Sequence, residues 1–280
     1  MRFTKMHGAG NDYIYVDARG GMENDWPALS ATMSDRHLGV GADGLILLLP
    51  SDRADIRMRM FNADGSEGKM CGNGIRCLVG FALDRGAVPS GETTVSVETL
   101  AGVKDVTPIM DNGRMVRASV RMGEPGFLPD EIPVVAPGRD RVLDYPLRVD
   151  GHEFEISCVS MGNPHAVAFV DRPVDEVPLH EVGPLVEHHA MFPERVNFEI
   201  VNVADSDHLR LRVWERGSGL TMACGTGACA AVVAAHLHGY VSNNVAVDLP
   251  GGRLNVLWPG EGQVVLEGPV AKVFEGEWPG

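Results

Sequence analysis

Apolar and polar residues alternate along many short segments of the chain. The segments DIRMRMFN at 55–62 and HLRLRVWE at 208–215 have the period-two pattern of strands with one buried face. The same pattern recurs in TTVSVET, RMVRASVRM, NFEIVNV, RLNVLW and QVVLEG. Short strands that outnumber the helices favour an α+β fold over a doubly wound parallel sheet.

Three segments are predicted to be helical. They are WPALSATMSDRH at 26–37, the run 75–85 and the run 228–238. The third consists of Ala and Val up to His236, apart from Cys229. A helix that is apolar all round is buried on most of its sides. We therefore expect this helix to lie inside a sheet.

The chain carries an internal repeat. When Cys71 is aligned with Cys224, an offset of 224 − 71 = 153, RMRMFNADGSEGKMCGNG lies under RLRVWERGSGLTMACGTG without a gap. Upstream, GNDYIYVD resembles GNPHAVAFVD, where Asn11 and Asn163 differ by 163 − 11 = 152. A constant offset predicts two copies of one architecture. The halves are predicted at 1–122 and 123–268, and the Pro- and Gly-rich segment 123–141 is predicted to be the linker between them.

Composition limits the partners and the compartment. The 280 residues carry a formal net charge of −14, which disfavours nucleic acid and anionic membranes as partners. No apolar run approaches the about 20 residues of a membrane span, and the first residues resemble neither a signal nor a transit segment. We expect a cytoplasmic protein. Five scattered cysteines do not resemble a disulfide framework, and their spacings do not fit a zinc site, so no metal is expected.

Cys71 and Cys224 each precede a Gly-x-Gly turn and a predicted helix. A helix start offers unpaired N–H groups that bind a carboxylate and favour a thiolate, so we expect the pKa of both thiols to fall below the free value of about 8.5. Two such sulfurs suit inversion at an amino acid α-carbon, where one removes a proton and the other delivers one. Cys77, Cys158 and Cys229 lie in apolar runs and are expected to be buried structural residues.

The motifs resemble those of the diaminopimelate epimerase family. KMHGAGNDYIYVD, FNADGSEGKMCGNGIRC, MGNPHAV, NFEIV and WERGSGLTMACGTGACA occur in the family's order, from Phe3 to the closing GPVAKVFEGEW. The resemblance implies two pseudo-symmetric domains, each a β-barrel-like mixed sheet around a central helix, with 269–280 returning to the first. It implies an epimerase that needs no cofactor, pyridoxal phosphate included, and interconverts LL- and meso-2,6-diaminopimelate in lysine and peptidoglycan precursor synthesis. It also implies a homodimer.

The resemblance carries roles to individual residues. Cys71 and Cys224 would be the acid/base pair. His165 and Glu215 would lie beside the sulfurs as catalytic residues that orient the ammonium group or aid thiol deprotonation, and Glu215 would also bind the substrate. The residues implied to hold the reacting carboxylate are Gly72, Asn73, Gly225 and Thr226. The residues implied to bind the rest of the substrate are Asn11, Asn62, Asn163, Asn197 and Arg216. Where some members have a substrate-contacting Gln, this chain has Gly44, which leaves that contact in doubt.

Three alternatives remain at this point. The first is a racemase or epimerase of another amino acid, such as proline or hydroxyproline. The second is an isomerase of the phenazine-biosynthesis type, which lacks the paired cysteines. The third is a redox dithiol protein, whose Cys-x-x-Cys signature is absent from this chain.

Overall fold

A computed structural model describes residues 1–89 and 91–279. Contacts divide the chain into a first unit, Met1–Arg121 with Glu267–Gly280, and a second unit, Met122–Leu266. The boundary after 121 lies one residue before the predicted one, and the boundary after 266 lies two residues before it. The last strand of the chain belongs to the first unit.

The first unit contains two helices and a mixed sheet. Its elements are β1 (Arg2–Gly8), β2 (Asn11–Asp17), α1 (Trp26–Ser34), β3 (Gly44–Leu49), β4 (Ile56–Asn62), β5 (Glu67–Gly68), α2 (Gly72–Asp84), β6 (Val95–Thr99), β7 (Gly102–Asp111) and β8 (Arg114–Gly123), whose last two residues lie past the boundary. The C-terminal strand of the chain, Ala271–Glu277, pairs with β1.

The second unit repeats this order of elements. They are β9 (Tyr145–Val149), β10 (His152–Ser160), β11 (Pro164–Phe169), a 3-10 turn (Val174–Glu176), α3 (Leu179–Glu187), β12 (Asn197–Asp205), β13 (His208–Glu215), β14 (Gly219–Leu220), α4 (Gly225–Leu237), β15 (Asn244–Leu249) and β16 (Gly252–Leu257). The strand β17 (Val264–Pro269) crosses the second boundary, and β18 is Ala271–Glu277.

Strand pairing follows the same rule in both units. In the first, β1–β2 is antiparallel, β2–β3 parallel, β3–β4 antiparallel, β4–β6 parallel and β6–β7 antiparallel. In the second, β10–β11, β11–β12, β12–β13, β13–β15 and β15–β16 alternate in the same order. The repeat in the sequence is therefore a repeat in topology, and it places Tyr13 and Gly44 where the second unit has His165 and Asn197.

Each unit's sheet curves around one helix. In the first unit, α2 contacts β1 and β7, which lie at opposite ends of the strand order, and in the second α4 contacts β10 and β16. Every residue from Ala228 to Ala235 is fully buried. Small Ala and Val side chains let strands approach α4 from several directions, as the all-apolar composition predicted.

The expectation that 123–141 is a linker is wrong. Ile132, Val134 and Ala136 are buried in the core of the second unit together with Val142. The backbone N–H of Val135 also donates to the carbonyl of Met191. Pro and Gly here produce an irregular segment that covers the core, because its apolar side chains still find buried partners.

The helix α3 was not predicted from the sequence. Its nine residues include Gly183 and Pro184, and both residue types have a low propensity for the interior of a helix. A Cβ added at Gly183 would lie 2.5 Å from the ring of Trp214. The missing side chain therefore lets Trp214 pack against the helix, and its Nε1 donates to Glu187 at 2.7 Å. Tertiary packing overrides the local preference at this point.

No helix within 1–89 and 91–279 combines the length and apolar character that crossing a membrane requires.

The enclosure of α4 makes a prediction about overpacking. Ala231→Leu should lower the free energy of unfolding by about 1–3 kcal/mol, because Ala231 is fully buried and three added carbon atoms would force neighbouring strands apart. The measurement is the midpoint of urea unfolding. The matched control is Ala31→Leu on the exposed face of α1, which should change the stability by less than about 0.5 kcal/mol. Equal midpoints for the two variants would contradict this account of α4.

Candidate active site

Each candidate cysteine is the N-cap of its unit's central helix. Cys71 precedes α2 and Cys224 precedes α4, both with extended backbone at φ −130° and −115°. In each case Sγ accepts a hydrogen bond at 3.3 Å from the N–H of the third residue onward, Gly74 or Gly227. The sulfur therefore occupies the place that a Ser, Thr or Asp oxygen takes at ordinary helix starts.

In the first unit, Cys71 contacts Asn11 at the start of β2. The thiol donates to Oδ1 of Asn11 at 3.2 Å, and Nδ2 of Asn73 approaches the same oxygen at 3.4 Å. Nδ2 of Asn11 donates to Asp43 at 2.7 Å. Asp43 thus orients the amide so that its oxygen faces the sulfur, while Arg36 pairs with Asp43 at 2.8 Å.

A buried arginine lies one turn into α2. Arg76 is fully buried, and it donates to the carbonyl of Gly72 at 2.9 Å and to Oδ1 of Asn73 at 2.8 Å. The guanidinium therefore fixes the direction of the Asn73 amide. Asn73 itself is 1% exposed, so its side chain serves this buried network.

Two further residues of the first unit that the sequence singled out, Asn62 and Gly44, have other surroundings. Asn62, at the end of β4, donates to Oγ of Ser66 at 2.9 Å, so its amide is held by the turn that follows the strand. Gly44 is buried, and a Cβ added there would lie 2.1 Å from the carbonyl oxygen of Phe61. A Gln therefore does not fit at position 44 of this chain without a backbone shift.

In the second unit, a chain of side chains leads from Cys224 into the core. Sγ of Cys224 lies 3.4 Å from Oγ1 of Thr226, which accepts from Nδ2 of Asn163 at 3.3 Å. Oδ1 of Asn163 lies 3.1 Å from Nε2 of His165. The Nδ1 of His165 lies 2.7 Å from Oε1 of Glu199. His165 and Glu199 are both fully buried.

Glu215 acts electrostatically on Cys224, because its carboxyl group raises the pKa of that thiol. The carboxylate accepts a short hydrogen bond from the hydroxyl of Thr221. Burial raises the pKa of Glu215 above its usual range. The residue lies at the end of β13, before the turn that leads to β14 and then to α4.

Asn197 and Arg216 form a separate link. Asn197 is buried, and its Nδ2 donates to the carbonyl of Pro164 at 2.9 Å while its Oδ1 accepts from the backbone N–H of Arg216 at 2.8 Å. The side-chain amide of Asn197 therefore links the backbone at Pro164 to the backbone at Arg216. The Arg216 side chain is exposed and donates to the carbonyl of Glu194 at 2.9 Å.

The expectation of a lowered thiol pKa is wrong for Cys224. Burial raises the pKa of Cys224 well above its usual value, and the carboxyl group of Glu215 raises it further. The hydrogen bonds from Thr226 and Gly227 act in the opposite direction and are outweighed. A helix start favours a thiolate only as far as the surrounding burial and charge allow.

The comparisons with known proteins decide the family. The family model described as diaminopimelate epimerase matches residues 3–128 and 157–273. The diaminopimelate epimerase of Acetivibrio thermocellus is 49% identical over 99% of this chain and 98% of its own. That of Pelotomaculum thermopropionicum is 50% identical over 100% of this chain and 99% of its own. The chain belongs to the diaminopimelate epimerase family. The predicted resemblance, and with it the enzyme class of isomerase, is confirmed.

More distant structures share the fold of the diaminopimelate epimerase family. A phenazine biosynthesis protein of the PhzF family from Bacillus anthracis superposes with a TM-score of 0.72 at 18% identity, covering 100% of this chain and 99% of that one. A probable proline racemase from Agrobacterium radiobacter gives 0.75 at 16% identity, covering 99% and 92%. These likenesses confirm the predicted fold class. At such identities they say nothing about the substrate, so the proline and phenazine alternatives receive support for the fold alone.

Two buried residues of the site were missed in the sequence. Glu199 is the third residue of NFEIV, a segment in which all five residues are buried. Arg76 follows CGNGI in α2 and is also fully buried. A charged residue inside an otherwise apolar run was the available signal, since buried charges need specific partners.

The different burial of the cysteines predicts an order of reaction with iodoacetamide. Cys71 is partly exposed and should react first, whereas Cys224 is 5% exposed with a raised pKa and should react at least about tenfold more slowly at neutral pH. Burial raises the pKa of Cys77 to about 11, so Cys77, like the buried Cys158 and Cys229, should be labelled only after unfolding. Mass spectrometry of the peptides measures each rate. Equal rates at Cys71 and Cys224 would contradict this order.

Proposed function

We propose that the protein interconverts LL- and meso-2,6-diaminopimelate without a cofactor, with Cys71 and Cys224 as its acid and base. The observation that carries the proposal is the sulfur N-cap, which occurs once in each unit at the start of a buried helix. Membership of the diaminopimelate epimerase family supports the substrate.

The chemistry of the two caps suits α-proton transfer. A thiolate that accepts hydrogen bonds from a helix start can remove the α-proton, and a thiol can return one to the opposite face. The remaining N–H groups of Gly72 and Asn73, and of Gly225 and Thr226, are the groups proposed to hold the reacting carboxylate as negative charge develops on it. The mechanism requires both sulfurs to reach one α-carbon, and this requirement is open to a labelling test.

The other polar residues are proposed to orient the substrate. His165 belongs to the hydrogen-bonded chain that leads to Cys224, and the Glu215 carboxyl group acts electrostatically on the same sulfur, which supports a role in placing the ammonium group or the thiol proton. Recognition of the non-reacting end needs donors and acceptors together, which amides supply, and a guanidinium for the second carboxylate. The residues proposed for this task are Asn11, Asn62, Asn163, Asn197 and Arg216.

The cellular setting is also part of the proposal. The reaction would serve lysine and peptidoglycan precursor synthesis in the cytoplasm, and the protein would act as a homodimer. Sedimentation equilibrium at several concentrations measures the oligomeric state, and a monomer at micromolar concentration would remove the dimer from the proposal.

The two-base scheme predicts the effect of removing either sulfur. Cys71→Ala and Cys224→Ala should each lower the rate of epimerisation by at least about 100-fold, because each removes one of two proton-transfer groups. The control is Cys229→Ala, which removes a buried thiol from the same helix as Cys224 and should retain activity within about threefold. Circular dichroism checks that all three variants remain folded.

Heavy water gives a sharper test of the same scheme. With unsubstituted enzyme and LL-diaminopimelate, early deuterium should appear in the meso product and hardly in the recovered substrate, because the donor thiol exchanges with solvent while the other sulfur holds the abstracted proton. Equal early labelling of both isomers, or near-normal epimerisation by either alanine variant, would exclude two separate bases.

Substrate choice is tested by parallel assays of α-proton exchange. Diaminopimelate should exchange at least about 100-fold faster than L-proline or trans-4-hydroxy-L-proline at equal concentration, because the proposed amides and Arg216 have no distal group to bind on the imino acids. Exchange with an imino acid and none with diaminopimelate would assign the protein to the alternative activity.

A further inference from the structure

Glu199 is a buried carboxyl group that the proposed acid/base pair does not explain. It lies on β12, is fully buried, and contacts His165 through Oε1 alone. Oε2 has no hydrogen-bond partner among residues 1–89 and 91–279. The fold makes room for this group, since a Cβ added at Gly227 in the first turn of α4 would lie 2.8 Å from Oε1. Burying a lone carboxylate is unfavourable, so its retention here needs a reason.

The hydrogen bonds of His165 determine how many protons the His165–Glu199 pair carries. Oδ1 of Asn163 can only accept, so Nε2 of His165, 3.1 Å away, carries a hydrogen. The 2.7 Å contact between Nδ1 and Oε1 then holds one more proton, placed on His165 as an imidazolium facing a carboxylate or on Glu199 as a neutral acid facing an imidazole. Either arrangement has a net charge of zero. Burial raises the pKa of Glu199, which agrees with a retained proton.

The same hydrogen bonds give the chain a direction that ends at the sulfur. With Oδ1 on His165, the amide of Asn163 presents Nδ2 to Oγ1 of Thr226. A threonine hydroxyl has one hydrogen, and because its oxygen already accepts from Asn163 that hydrogen is available to Sγ of Cys224 at 3.4 Å. The sulfur thus receives two donors, the Thr226 hydroxyl and the N–H of Gly227.

We propose that Glu199 is a positioning residue for Cys224: with His165 it retains one proton in a neutral buried pair, and through Asn163 it directs the Thr226 hydroxyl to donate to Sγ. The role of this sulfur as an acid and base rests on the proposed function. A hydroxyl aimed at Sγ stabilises the thiolate that must form when Cys224 acts as the base. Glu199 acts without touching the substrate.

The arrangement is confined to one of the two sulfurs. The register of the parallel strands places Ile46 of the first unit where the second has Glu199, and Tyr13 where it has His165. A Cβ added at Gly74 would meet Ile46 rather than a carboxyl oxygen. At these aligned positions of the described chain, the first unit therefore has tyrosine and isoleucine in place of the pair, and Cys71 serves as an internal reference.

The direction in which the pKa of the Cys224 thiol changes when Glu199 is removed distinguishes a positioning role from the effect of a simple negative charge. The titratable groups around the chain are His165 on β11, Glu215 on β13, Cys158 on β10 and Cys224 itself. If Glu199 acted on Cys224 only as a bare negative charge, removing it would make the thiol easier to ionise. If Glu199 acts by positioning, removing it frees the His165 ring and the Asn163 amide to reverse, and the thiol becomes harder to ionise.

The experiment measures the ionisation of Cys224 directly. Alkylation by iodoacetamide is followed from about pH 7 to about pH 12, a range that extends well above the free thiol value of about 8.5 because burial raises the pKa of Cys224. The Cys224 and Cys71 peptides are quantified separately. Glu199→Leu should raise the midpoint for Cys224 by about one pH unit, the size of one charge-assisted hydrogen bond. Glu199→Gln is the matched control: its amide donates to Nδ1 of His165, keeps the hydrogen on Nε2 and should leave the midpoint unchanged. The Cys71 curve should be the same in all three proteins.

Two results would overturn the proposal. A lower midpoint in both variants would assign Glu199 the role of a bare charge, and an unchanged midpoint in Glu199→Leu would assign it none. If Glu199→Leu fails to fold, Thr226→Val provides a second test, because it removes the hydroxyl that donates to Sγ with little change in shape. This variant must raise the midpoint for Cys224, and an unchanged midpoint would equally end the proposal. Because alkylation needs no turnover, these outcomes are independent of whether the protein epimerises diaminopimelate.

Discussion

The hydrogen bond from a backbone N–H to a cysteine sulfur at the start of a buried helix is the interaction on which the cysteine group of each unit depends. The first N–H groups of an α-helix have no partner inside the helix, and the N-cap side chain satisfies one of them. A cysteine in that place ties its sulfur to the geometry of the core, at 3.3 Å from Gly74 or Gly227. The sulfur is thereby as well positioned as the helix itself, and glycine in the third helical position leaves space for it.

One scaffold supports two different electrostatic environments. Strand order, helix position and capping geometry repeat between the units. The buried charges do not repeat: the first unit has the guanidinium of Arg76, whereas the second has Cys229 at the aligned position and the carboxyl group of Glu199 under its helix. Topology places the sulfurs, and the side chains beneath each helix decide how readily each sulfur ionises. The two capping sulfurs are therefore not equivalent, although the scaffold that holds them repeats.

The local sequence correctly predicted the secondary structure of a segment wherever the segment's pattern of apolar residues matched its burial in the fold. Alternating strands such as β4 and β13, and the apolar helix α4, were predicted because one face or all faces of these segments are buried in the way their residues suggest. The prediction failed at 123–141 and at α3, where Pro and Gly indicate irregular structure but distant partners decide the outcome. Ile132 is buried by residues of the second core, and Gly183 is needed for the Trp214 ring.

The sequence by itself determined the repeat, the family, and the two cysteines at helix starts, because these are properties of residue order that a motif records directly. It could not determine the ionisation of those cysteines. The pKa of Cys224 depends on burial and on the carboxyl groups of Glu215 and Glu199, which lie 224 − 215 = 9 and 224 − 199 = 25 residues away along the chain. These groups come near the sulfur only because β13 and β12 pack against α4. Proton affinity depends on distance in space and on exclusion of water, and only the tertiary structure decides either.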